Sequence, residues 1–191
     1  MAAIELIEPV VRICAVISRH DEAITWGQQR LIESWGTIAH TSPPLPFEAN
    51  GFYDQQMGTG LQKVLVAMTD LCEPGTLAQW KLSTNQWEKD YANQADHSES
   101  RPLNLDCGYI TQAKLVLATT KDRDHRLYLC DGIFAEVTLN YVGKKWIHHR
   151  WTYPDYRTEQ VAEFAQKCRQ QVRDHVQQCG ESRQRINRNE G

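Results

Sequence analysis

The sequence predicts an α+β fold, with an antiparallel or mixed sheet and helices packed on one face. Three observations predict it. Val10 to Ile17 is a β-branched run of strand length, broken only by Arg12. Between Lys114 and Trp151, short strand-like segments alternate with tight connections. From Thr158 onward, Val161, Ala165, Cys168, Val172, Val176 and Cys179 fall on one helical stripe.

Asp21 is placed to cap the first helix, whose apolar residues Ile24, Leu31 and Trp35 keep near-helical spacing and which Gly36 ends. Thr37 to Thr41 reads as a second strand. Pro43 to Pro46 reads as extended chain, because each proline lacks a donor and restricts its predecessor. Val64 to Met68 is a third strand, and Glu73-Pro74-Gly75 opens a helix reaching about Tyr91. This βαββα order fits a ferredoxin-like half. Arg101 to Tyr109 reads as a turn built on Asp106 and Gly108. Lys114–Thr120, His125–Leu129, Ile133–Val142 and Lys144–Trp151 follow as a C-terminal meander. Thr158 caps the last helix and Gly180 stops it. Residues 1–180 thus form one domain, and 181–191 a flexible polar tail.

The 191 residues carry 21 Lys and Arg against 24 Asp and Glu, a net charge of −3. That balance argues against a nucleic-acid coat. No segment approaches the roughly 18 apolar residues of a membrane span, and no secretory leader precedes Val10. Six scattered cysteines without a C-x-x-C pair suggest reduced thiols and a cytoplasmic protein. P-loop, dinucleotide, zinc-protease and nucleophile-elbow motifs are absent.

Charge is uneven along the chain. Residues 1–100 hold 6 basic and 13 acidic side chains, whereas 101–157 hold 9 and 6. A positive middle in an acidic chain suits an anion site. Within it, Arg101, Lys114, Lys121 and Arg126 are candidate anion ligands, because guanidinium and ammonium groups grip phosphate or carboxylate. Asp106 and Glu136 are candidate Mg²⁺ ligands or general bases, and His125 a candidate proton donor. Tyr153 and Asp155, just before the last helix, are candidate pocket walls. The same residues also fit a solvated sheet face with cross-strand pairs such as Glu136 with Arg126 or Lys114. His148 and His149 point to opposite faces of a strand and cannot ligate one ion together.

Several segments resemble the uncharacterised bacterial and archaeal family known as domain of unknown function 4416. These are Phe52-Tyr53 with Met57-Gly58 and Leu61, Lys81-Leu82 with Thr84-Asn85 and Glu88, and Asn104-Leu105-Asp106 with Gly108-Tyr109. Leu115 to Lys121, His125 to Leu129, Gly132 to Leu139 and Thr152 to Tyr156 continue the match. Gln56 stands where the family usually has an acid, and Cys107 where it usually has proline. The resemblance implies a fold unit and no particular activity.

The sequence thus points to binding of a small phosphorylated or otherwise anionic metabolite or nucleotide, with Mg²⁺ as the cofactor an enzyme of this kind would use. It does not specify a reaction. The alternative is a non-catalytic interaction module that forms a homodimer through the striped C-terminal helix.

Overall fold

The computed structural model describes residues 8–48, 51 and 53–179. The N-terminal seven residues, Phe52, the expected stop at Gly180 and the expected tail at 181–191 lie outside them. Nine strands form one antiparallel sheet: β1 (Val10–Ser18), β2 (Ile38–Thr41), β3 (Leu45–Pro46), β4 (Gln62–Cys72), β5 (Asn104–Ile110), β6 (Lys114–Thr119), β7 (Arg126–Cys130), β8 (Ile133–Val142) and β9 (Lys145–His148). The helices are α1 (Asp21–Trp35), α2 (Asp54–Met57), α3 (Leu77–Gln94) and α4 (Glu159–Cys179). None is long and apolar enough to cross a membrane.

Strands run in the order β2-β4-β1-β5-β6-β8-β7. With α1 and α3 as crossovers, the first four of these have the ferredoxin-like order, so the α+β expectation holds and its first half is recognisable. Three details differ from the sequence reading. First, helices cover both faces. α1 and α3 bury Val16, Val66, Leu105 and Val116 on one side, while α4 buries Ile13, Leu65, Ile110 and Leu115 on the other. The cause lies in β1, buried along almost its whole length: residues of both parities need apolar cover.

Second, Asn104 to Ile110 is a central strand paired with β1 and β6, not a turn. Leu103, Leu105 and Cys107 are buried. Gly108 is required by packing: a Cβ there would stand 2.2 Å from the Val116 carbonyl of β6. Third, the last four strands are not a simple meander. β6 pairs with β8, and β7 lies outside β8 at the sheet edge. β8, ten residues long, takes β6 on one side, with β7 and β9 in succession on the other. Smaller shifts occur at helix starts. Asp21 is the first residue of α1, and His20 occupies the cap position without a side-chain capping bond. Thr158 does cap α4, accepting from the Val161 N–H at 3.4 Å.

α4 lays Val161, Phe164, Ala165, Cys168, Val172 and Val176 against the sheet, all buried. The stripe through which the alternative reading would recruit a second copy is therefore internal from Val161 to Val176, and only its last residue, Cys179, is exposed. All six cysteines are free thiols.

Candidate functional site

β5 and β6 pair only from Gly108 to Ile110, opposite Leu117 to Leu115. Towards Asn104 the two strands part. Leu105 lies in the parted stretch, where no β6 partner meets its backbone. Two side chains of α3 act as a substitute strand: Lys81 donates to the Leu105 carbonyl at 2.8 Å, and Glu88 accepts the Leu105 N–H at 2.8 Å. The gap opens into a cavity of about 440 Å³. Its walls come from α3, β5, β6, the loop after β6 and the turn Pro154–Tyr156.

A continuous polar network forms one wall. Lys81 binds Asp106 Oδ1 at 3.0 Å and lies 4.0 Å from Glu88. Arg101 donates to Glu88 Oε2 at 2.8 Å and to the Asn104 side-chain carbonyl. The Asn104 amide donates to Asp106 Oδ2 at 2.9 Å. Burial disfavours charge on Lys81, but Asp106 and Glu88 outweigh it and hold the ammonium above its ordinary pKa. Burial would likewise raise Asp106, yet Lys81, the Asn104 amide and Arg101 together hold it below the ordinary carboxylate value. The Asp106 side chain is 36% open, towards the cavity.

The second wall centres on Glu136, 4% exposed in mid-strand. It accepts from Arg126 Nε at 2.9 Å, meets His125 Nε2 at 3.1 Å, and receives the Thr138 hydroxyl at 3.3 Å. Arg126 also donates to the Lys121 carbonyl at 2.8 Å, which ties the cationic loop to β8. His125 has its other nitrogen on Asp124 at 2.9 Å and stacks on Trp151 at 5.0 Å. Bonds from His125 and Arg150 pull the Asp124 carboxyl down to about 2. The third wall is the Pro154–Tyr156 turn. Lys63, fully buried on β4, donates to the Asp155 carboxylate at 2.7 Å and to its carbonyl at 3.1 Å, 3.9 Å from the Tyr156 ring.

Of the sequence-selected residues, Arg101, Asp106, Lys121, Arg126, Glu136, Tyr153 and Asp155 all line this one cavity. His125 stands behind Glu136 and positions it without lining the space. Lys114 does not join them: it lies at the far end of β6, exposed and opposite Asn140. Asp106 and Glu136 do not converge on one point. β6 separates their strands and parts from β5 beside Asp106, so their backbones lie at least about 10 Å apart at roughly 4.8 Å per strand. Each of their four oxygens also accepts a hydrogen bond within the protein.

Residues the sequence reading did not select as site candidates include Lys63, Lys81, Asn85, Glu88, Tyr53 and Arg123, although Tyr53, Lys81, Asn85 and Glu88 belong to segments that carry the family resemblance. A signal for three of them existed. Lys81, Asn85 and Glu88 are spaced i, i+4, i+7, a polar stripe set within the apolar Trp80, Trp87 and Tyr91. Lys63 carried none, since an isolated lysine beside Val64 looks like an ordinary strand end.

Electrostatically, the cavity is richest in cations at the loop after β6. Burial lowers the Lys121 pKa. The neighbouring Arg101, Arg126 and Arg123 push it the same way, against Asp106. Lys121 and Arg101 also lie 5.6 and 6.0 Å from the Tyr53 ring. Arg123 has no carboxylate at ion-pair distance among the described residues; its recorded bond is to the Asp122 carbonyl at 3.3 Å.

No curated protein and no solved structure matches the chain. A family model, domain of unknown function (DUF4416), matches residues 8–172, the whole span from before β1 into α4 and every cavity residue within it. The chain belongs to the DUF4416 family.

Proposed function

We propose that the cavity binds a small phosphorylated or otherwise anionic metabolite, a nucleotide among the candidates. The observation that carries this reading is the meeting of Arg101, Lys121, Arg123 and Arg126 at one side of a space also walled by Tyr53, Tyr153 and Tyr156. About 440 Å³ suits a small-molecule site, which ranges from roughly 300 to 1,000 Å³. Mutual repulsion among the cations is relieved when an anion arrives, and the tyrosine rings offer flat apolar contact to the remainder of the molecule. In this reading, Mg²⁺ enters as the companion of a ligand phosphate. Of the two candidate carboxylates, Asp106 is the more open to it, 36% exposed against 4% for Glu136. Catalysis would use Glu136 as the acid or base, with His125 and Arg126 setting its position.

The test is calorimetry and thermal shift with a panel of nucleotides and sugar phosphates, with and without Mg²⁺. A ligand at 100 times its Kd adds about 2.7 kcal/mol, or about 5–10 °C in a chain of this size. Arg123→Ala should weaken that ligand by about 10- to 100-fold, the worth of one charge-assisted bond, while leaving the apo Tm in place. A panel without any shift would overturn the reading.

A second reading, an interaction module, draws on a different surface from the one the sequence suggested. Edge strand β7 exposes Leu127, Tyr128 and Leu129, at 71%, 62% and 40%. Unpaired edges of this kind accept a strand from a partner. Light scattering that shows a monomer at high concentration, for wild type and Leu127→Lys alike, removes the self-association form of it.

A further inference from the structure

None of the residues considered next lines the cavity. His20 precedes α1, Glu22 lies in its first turn, and His97 belongs to the loop between α3 and β5. One nitrogen from each imidazole and one Glu22 oxygen all lie within 4.8 Å of one another. The two rings stack at 4.1 Å with 24° between their planes.

Each ring is held from behind through Nε2. His20 Nε2 meets Glu99 Oε2 at 3.2 Å, and His97 Nε2 meets the Tyr91 hydroxyl at 3.0 Å. With the proton on Nε2 in both rings, each Nδ1 keeps its lone pair. The His20 Nδ1 lies 3.9 Å from Glu22 Oε1. A carboxylate or hydroxyl on the far nitrogen is how metal-ligating histidines are oriented and made more basic. Glu99 is itself fixed by Arg19 at 3.2 Å and by the Ser98 hydroxyl.

We propose that His20, Glu22 and His97 bind a divalent transition-metal ion of the Zn²⁺ class, with water completing a tetrahedron. Two imidazoles and a carboxylate suit zinc better than Mg²⁺ or Ca²⁺, which prefer all-oxygen sites. Bonds of about 2.0–2.2 Å space tetrahedral ligands roughly 3.3 Å apart. The closing needed is therefore at most about 1.5 Å, within reach of Glu22, whose side chain is 66% exposed. With Arg19 counted against Glu22 and Glu99, the immediate surround carries one net negative charge, which favours a cation. The ion would fasten the start of α1 to the loop that leads into Arg101.

The experiment is calorimetric titration of the full chain with ZnCl₂ after chelator treatment and dialysis, together with native mass spectrometry. A competing zinc site must be controlled for, because Cys179 lies 3.6 Å from His175 Nε2, one turn apart on α4. Wild type and Cys179→Ser should each take up one equivalent. His97→Ala should weaken binding at least tenfold, and Glu22→Gln, on an exposed side chain, should weaken it with an unchanged circular dichroism spectrum. No uptake by wild type, or uptake that Cys179→Ser abolishes and Glu22→Gln leaves intact, would overturn the proposal.

Discussion

Lys81→Met is the most informative perturbation of the cavity wall, because it removes a buried charge while keeping most of the side-chain volume. The Lys81 side chain is 5% exposed and serves three acceptors: the Leu105 carbonyl, Asp106 and, at 4.0 Å, Glu88. Breaking a buried pair by deleting one partner costs about 3–5 kcal/mol. The lower end applies here for two reasons. Asp106 keeps the Asn104 amide and opens into the cavity, and Glu88 keeps Arg101. About 3 kcal/mol corresponds to about 6–12 °C in Tm for a chain of this length. Urea unfolding should show a lower midpoint with an unchanged slope. Adding Asp106→Asn removes the stranded acid, so the double variant should be milder than the sum of the singles by at least about 1 kcal/mol. A loss below about 1 kcal/mol for Lys81→Met, or strict additivity of the pair, would refute the view that Lys81 and Asp106 compensate each other's burial.

Three further outcomes follow from the same geometry. Asp106 has a folded pKa below its unfolded value of about 3.9, so its contribution to stability is present above that pH and is lost as pH falls through the lower folded value. Asp106→Asn should therefore flatten the acid limb of a stability-versus-pH curve below about pH 4, and an unchanged limb would contradict this. Gly108→Ala should cost about 2–4 kcal/mol in chemical denaturation, because the added methyl meets a β6 carbonyl and not a movable side chain. His125→Phe keeps the stack on Trp151 but removes one of the groups on Glu136, and should lower stability by about 1–2 kcal/mol.

What could be read from the chain beforehand depended on how local each cause was. β1 and α4 are visible in their periodicities, since burial repeats with the geometry of the element. β5 was hidden because Asp106 and Gly108 suggest a turn, whereas Gly108 answers to a carbonyl on another strand. The choice of β8 over β7 as the neighbour of β6 is not local either. Leu127 to Leu129 reads as strand much as Leu115 to Leu117 does, yet the first segment is exposed whereas Leu115 and Val116 are buried and Leu117 half-buried. Helices on both faces were in principle foretold by β1, whose run leaves no alternation for a wet side. The cavity's cations and acids were found largely by composition and strand parity. The exception, Lys114, has the right residue type at the wrong end of its strand. The α3 stripe of Lys81, Asn85 and Glu88 entered only through the family resemblance and not as a site, because three tryptophans and a tyrosine nearby, Trp80, Trp87, Trp35 and Tyr91, dominate the reading of that region.

The placement of β7 beyond β8 has a consequence for adaptability. A two-strand turn must match the ladder on both sides, and its length is dictated by that match. The span 120–125 is under no such constraint: it bridges from β6 across the end of β8 to β7, about 10 Å at two strand spacings. It carries Lys121 and Arg123 to the cavity rim. Insertions and substitutions there can retune what the rim recognises while every ladder keeps its alignment, so recognition and scaffold can diverge independently along one polypeptide.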